Sequence, residues 1–207
     1  MIISFEGLDG CGKSTQISML KKLLDGSGYR TEVLREPGGD PICEKIREIL
    51  LDKKNLNMCN TTELLLYIAS RAQLVKSGIA PLIEQGVIVI LDRFLDSTTA
   101  YQGYGRKLDL LTVKMLNELA TDSGRFVPDL TFFLDMDPEI SMKRMHSRGE
   151  EINRMESNNA DFFTDIRKGF LEIASEEPER VKVIDGTQDI DSVHSAVKKI
   201  LKERKII

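Results

Sequence analysis

Between a strand-like run, Ile2 to Phe5, and an amphipathic stretch from Lys13 to Leu24 lies the segment Gly7-Leu8-Asp9-Gly10-Cys11-Gly12-Lys13-Ser14. The spacing G-x-x-x-x-G-K-S in a strand-to-helix context constrains this chain more than any other feature. Its glycines permit a tight turn whose backbone N–H groups point inward, and the helix that follows adds the positive end of its dipole. Ordinary residue frequencies give such a match by chance in about one chain in a hundred of this length. A triphosphate can be cradled by Gly7, Gly10, Cys11, Gly12, Lys13, Ser14 and Thr15. Lys13 is expected at the β/γ-phosphates, and the Ser14 hydroxyl is expected to ligate Mg²⁺.

An anion site of this kind has to be made locally. Lys and Arg number 29 against 33 Asp and Glu, a formal charge of −4, which builds no broad positive field for a nucleic acid partner. The longest aliphatic run, Val87 to Leu91, is far short of the roughly 20 residues that span a bilayer. No membrane partner is expected, and MIISFEG runs straight into a strand pattern, so we expect no signal peptide and a cytoplasmic setting. Three irregularly spaced cysteines, Cys11, Cys43 and Cys59, give neither a disulfide framework nor a zinc pattern. His146 and His194 lie in charged, helix-like contexts and are expected in surface or capping roles.

Apolar stretches of strand length alternate with amphipathic helical ones over all 207 residues, without repeats or linkers. That alternation predicts one α/β domain with a parallel sheet covered on both faces. The strands are expected at Ile2 to Phe5, Thr31 to Arg35, Val87 to Leu91, Leu130 to Leu134 and Val181 to Ile184. Helices are expected at Lys13 to Leu24, Glu44 to Leu51, Thr62 to Gln85, Leu110 to Asp122, Pro138 to Met145, Ala160 to Ala174 and Asp191 to Lys202. Pro81 should kink or split the third of these near Ser77-Gly78. The charged stretch from Ser147 to Asn159 reads either as a solvated loop or as a lid over a charged ligand.

The most apolar strand candidate runs into Asp92-Arg93. In open α/β sheets ligands bind beyond the carboxyl ends of the strands, which makes Asp92 the Mg²⁺-side or phosphate-orienting acid. Hydrolysing ATPases follow such an acid with a second one that activates water. Arg93 stands there instead and suits an anionic acceptor, so the pair favours transfer to a phosphate-bearing substrate. A surface salt bridge is the plainer reading of the same two residues.

The chain resembles the thymidylate kinase family of P-loop nucleoside monophosphate kinases from end to end. The likeness is carried by FEGLDGCGKST, REPGGD, LLYIASRAQ, LDRFLDSTTAYQGYGR, PDLTFFLD, and RG followed by NRME in the lid region. It implies a P-loop five-stranded parallel sheet with a mobile lid at about residues 147–159, and a homodimer. The implied reaction moves the γ-phosphate of MgATP to dTMP, giving dTDP and ADP for dTTP synthesis. By the same resemblance Asp9 meets the deoxyribose 3′-hydroxyl, Pro37 with Glu36 borders the thymidine, and Tyr67 stacks on thymine. Arg71, one helical turn later, reaches the same pocket; Arg47 and Arg93 bind phosphate; Ser97, Tyr101 and Gln102 frame the nucleoside. Arg144 lies against adenine, and Lys13, Asp92, Arg93, Arg148 and Arg154 carry the catalysis.

From periodicity alone Tyr67 is as readily a core residue, and Arg47, Arg71 and Arg144 are ordinary helix-surface charges. The sequence departs from the family pattern at Asp40 in EPGGD, at Phe94 after Asp-Arg and at Asn153. Gly10 stands where some members carry an arginine, which points to the lid, through Arg148 and Arg154, as the source of the catalytic arginine. Other readings are a different P-loop nucleoside or nucleotide kinase, with Glu36 as the base a nucleoside acceptor needs, or a GTP-dependent switch. No N-K-x-D guanine-reading motif is present.

Overall fold

A computed structural model describes residues 1–147, 153–155 and 158–207, leaving out the side chain of His146. Among the described residues five strands form one parallel sheet: β1 (Ile2–Glu6), β2 (Thr31–Arg35), β3 (Ile88–Asp92), β4 (Leu130–Asp135) and β5 (Val181–Asp185), in the order β2-β3-β1-β4-β5. The inner strands β1, β3 and β4 read as near-continuous apolar runs because helices cover both faces, whereas the edge strands β2 and β5 carry charged residues such as Glu32 and Lys182. On β1 the alternation of side chains sends Ile3 and Phe5 to one face, where they pack with Leu20, Leu24, Phe132, Val197 and Leu201. That layer is built by α1 (Lys13–Gly26) and α9 (Ile190–Glu203).

The opposite face holds α3 (Asn60–Leu74), α6 (Leu110–Ala120) and α8 (Ala160–Glu176), with α2 (Pro41–Leu51) against α3. Phe133 on β4 stacks on Phe170 of α8 at 4.9 Å between ring centroids. The shorter helices are α4 (Ala80–Glu84), α5 (Leu95–Thr98) and α7 (Pro138–Ser147). Strand order reverses about β1, which opens a crevice beyond its carboxyl end, and the phosphate loop lies there. Among the described residues no helix is long and apolar enough to cross a membrane.

Three expectations are corrected. The helix expected from Thr62 to Gln85 is divided: α3 passes through a π-helical turn, Val75–Ile79, into α4. Pro81 has no N–H for the Ser77 carbonyl, and the wider turn just before it absorbs the misfit. The stretch after β3, read only as a motif, is helical too, as α5 continues into a π-helical segment, Thr99–Gly105. His194 is buried at 8% exposure, not a surface group, with Nδ1 3.2 Å from Gln16 Oε1 on α1. Arg148 and most of the lid stretch lie outside the described residues.

Burial holds the His194 imidazole below its usual range, with Lys198 acting in the same direction. The unfolded chain therefore takes up a proton near pH 6.5 that the folded chain resists, and stability present above that pH is lost below it. The urea midpoint should fall between pH 7.5 and pH 5.5, and it should fall less in His194→Gln.

Candidate active site

Gly7, Gly10 and Gly12 all take positive φ, at 135°, 82° and 101°, and they bend the loop between β1 and α1. A Cβ on Gly7 would lie 2.6 Å from the Leu134 carbonyl oxygen, so only glycine fits there. Lys13 opens α1 and turns its ammonium back into the loop, 3.1 Å from Gly7 O and 3.0 Å from Leu8 O. Ser14 and Thr15 are exposed in the first turn. From this loop a cavity of about 640 Å³ extends over the ends of β2 and β3; its wall includes Asp9, Gly10, Gly12, Lys13, Ser14, Thr15, Glu36, Pro37, Arg47, Tyr67, Arg71, Asp92, Arg93, Ser97, Tyr101 and Gln102.

Arg93 stands where the loop meets the rest of the cavity, with φ 68°, a left-handed backbone uncommon outside glycine. Nη1 donates to Gly7 O at 2.9 Å and to Ser97 Oγ at 3.2 Å, and Nη2 donates to Asp9 Oδ1 at 2.5 Å. Its guanidinium carbon lies 5.2 Å from the centroid of the Tyr101 ring. Burial disfavours the Arg93 charge, but Asp9 together with Tyr101, Asp92 and Glu6 more than offsets it, and the arginine is held protonated. Burial likewise pushes Asp9 up, while Arg93 and Lys13 outweigh it and keep the carboxyl well below the usual range.

At the far end Arg71 is fully buried. Nε and Nη2 grip Glu36, Nη1 donates to Asn117 Oδ1 at 2.6 Å, Nη2 donates to Thr98 Oγ1 at 2.9 Å, and Phe94 lies beneath at 5.0 Å. Burial pushes Glu36 up against the pull of Arg71. Leu64 and Ile68 take the core positions of α3, leaving Tyr67 half-buried on the cavity wall beside Arg71. Burial and Glu63 raise the Tyr67 phenol above its usual range. Arg47 donates to Pro37 O at 2.8 Å and fixes α2 to the turn after β2.

Gly7 and Cys11 lie in the loop without lining the cavity, and two expected arginines stand off the wall. Arg144 donates to Gly186 O at 3.1 Å and Thr187 O at 3.2 Å. Arg154, expected at the transferred phosphoryl group, is buried: it pairs with Glu63 at 2.7 Å and donates to Leu50 O at 2.6 Å. Glu63 is wholly buried and also takes Arg106 and Gln102, so its charge draws Arg154 into the body of the protein. Glu6, Glu63, Thr98, Arg106 and Asn117 were not anticipated. A carboxylate in the first turn of a helix, as Glu63 is, reads as an exposed dipole contact, and nothing local to the sequence marks its burial.

The sheet order, the phosphate loop and an arginine-lined cavity beyond it place the chain in the class of P-loop phosphotransferases. The thymidylate kinase family model matches residues 5–197. The thymidylate kinase of Thermoanaerobacter sp. (strain X514) is 48% identical over 201 residues, 97% of each chain, and that of Prosthecochloris aestuarii is 46% identical over 99% of this chain and 94% of its own. A crystal structure of thymidylate kinase from Ehrlichia chaffeensis covers 98% of each chain with a TM-score of 0.78 and 38% identity. The chain belongs to the thymidylate kinase family, whose members are ATP-dependent nucleoside monophosphate kinases.

The Arg71–Glu36 pair supplies a direct test. Glu36→Ala leaves a buried guanidinium without its carboxylate and should cost about 3 kcal/mol in urea unfolding. Adding Arg71→Leu should recover part of that loss.

Proposed function

We propose that this 207-residue chain, acting as one domain, transfers the γ-phosphate of MgATP to dTMP, giving dTDP and ADP. The observation that carries the reading is the continuity of one cavity from Lys13 and Ser14, past Arg93, to Tyr67 and Arg71. ATP phosphates belong on the loop, with adenine against the Arg144 guanidinium, which two carbonyls hold in place. Thymine belongs on Tyr67, with Arg71, Ser97 and Gln102 about the nucleoside, Asp9 at the 3′-hydroxyl, and Arg47 and Arg93 at the acceptor phosphate.

Ser14 and Asp92, both on the cavity wall, present hard oxygen donors suited to Mg²⁺. When bound, the ion would neutralise charge on the phosphate oxygens. The acceptor phosphate, with a second pKa of about 6, is largely dianionic near pH 7 and needs no base. One of its oxygens bonds to the γ-phosphorus as the bond to the bridging oxygen breaks, and the electron pair leaves with ADP. Lys13 and Arg93 hold the two anions in line and balance the charge that develops. Arg148, from the family pattern, is assigned to the transferred group, and Arg154 to fastening its own segment onto Glu63. A nucleoside acceptor would need Glu36 as base, and Glu36 is committed to Arg71.

A homodimer fits the exposed side chains. Leu111, Met115 and Leu119, at 66%, 61% and 72% exposure, form a stripe at spacings of four on α6, and Leu65 is half-exposed on neighbouring α3. The three free cysteines accord with a reducing cytoplasm.

With MgATP fixed and dTMP, dUMP, UMP, CMP and thymidine compared, dTMP should be turned over fastest. Preference for thymidine would overturn the reading. Lys13→Ala should lower turnover by several orders of magnitude with the fold intact, followed as ADP release alongside circular dichroism. Met115→Asp should shift the mass seen by light scattering from dimer to monomer.

A further inference from the structure

Glu6 closes β1 immediately before the phosphate loop and is wholly buried. No step of the phosphoryl transfer uses it. Its two oxygens reach across to the segment after β3: Oε1 accepts the Phe94 backbone N–H at 2.8 Å, and Oε2 accepts the Ser97 hydroxyl at 2.5 Å. The adjacent residue grips the same segment, for Gly7 O accepts Arg93 Nη1 at 2.9 Å. Between these grips the chain turns a corner that an L residue resists, with Arg93 at φ 68°. The Ser97 hydroxyl accepts from Arg93 and donates to Glu6, so a directed chain of hydrogen bonds runs from the guanidinium to the carboxylate.

The surroundings explain why this residue type stands here. The charged groups facing Glu6 are Asp96, on α5, and Arg93; Asp96 is itself held by Arg180 through both Nη atoms at 2.7 Å. Burial and Asp96 push Glu6 up to about 8, against the opposing pulls of Ser97, Arg93 and the Phe94 N–H. A glutamine would fill the same space without that conflict of charge. It would also have to offer an N–H to Ser97, reversing the hydrogen-bond chain that leads to Arg93.

We propose that Glu6 is a positioning residue for the phosphoryl transfer: through the Phe94 N–H and the Ser97 hydroxyl it fixes the left-handed corner at Arg93, and so sets the pose in which that guanidinium meets the acceptor phosphate. The inference rests on Arg93 binding that phosphate, as proposed above.

A double-mutant cycle on the full-length chain tests it, with dTMP and MgATP as substrates and radiolabelled ATP to follow low rates. Glu6→Gln should lower kcat at least tenfold while leaving KM for ATP within twofold. Arg93→Ala should lower kcat further, and adding Glu6→Gln to Arg93→Ala should change it by less than twofold, because nothing is left to position. Glu6→Asp keeps the carboxyl group on a shorter arm and should give an intermediate loss that likewise disappears in the Arg93→Ala background. Losses that multiply in the double variants, or a Glu6→Gln enzyme within twofold of the wild type, would overturn the assignment to Glu6 alone. A wild-type chain unable to phosphorylate dTMP would overturn it together with the proposed function.

Discussion

Two phosphate-bearing anions must be held in contact by a chain whose own net charge is −4. The interaction on which the site depends is the clamp of Arg93 between Gly7 O and Asp9, at the point where the phosphate loop meets the rest of the cavity. It ties the end of β3 to the loop after β1, so the proposed donor and acceptor subsites would share one junction. Because Asp9 balances the guanidinium, Arg93 can sit in the wall without an uncompensated buried charge. Lys13 contributes the second cation, lodged against the loop carbonyls. The acidic excess lies elsewhere, on helix exteriors and in ion pairs.

The same device recurs away from the junction. Arg71 with Glu36 joins α3 to the turn after β2; Arg180 with Asp96 joins the start of β5 to α5; Glu63 gathers Arg106 and Arg154 from segments remote in sequence. Buried pairs of this kind contribute little net stability, since desolvation offsets attraction, but breaking one is costly. Their effect here is geometric. Each joins a cavity-lining segment to the body of the fold, so that loops after different strands are held as one surface.

The inner strands were legible in the sequence because a parallel sheet buried on both faces leaves unbroken apolar runs, as Val87 to Leu91 does. The phosphate loop was legible because Gly7 cannot be replaced without meeting the Leu134 carbonyl. What escaped depends on partners distant in the chain. Pro81 announced a break, but the π-helical turn that accommodates it is a matter of packing against the sheet. His194 read as a surface group because Gln16, which meets it, lies far away in sequence. Arg154 matched a lid pattern, but the wholly buried Glu63 that claims it had no local mark, and the same is true of Glu6 beneath Arg93. Motifs show which groups are present; only the fold shows which opposite charge lies against each.

If one continuous cavity holds both nucleotides, end to end through their phosphates, a single molecule that spans both should fit it. A dinucleoside polyphosphate joining adenosine to thymidine through five phosphates measures this directly. One molecule should bind per chain by calorimetry, with inhibition competitive against both ATP and dTMP. Two molecules per chain, or competition against only one of the substrates, would contradict it.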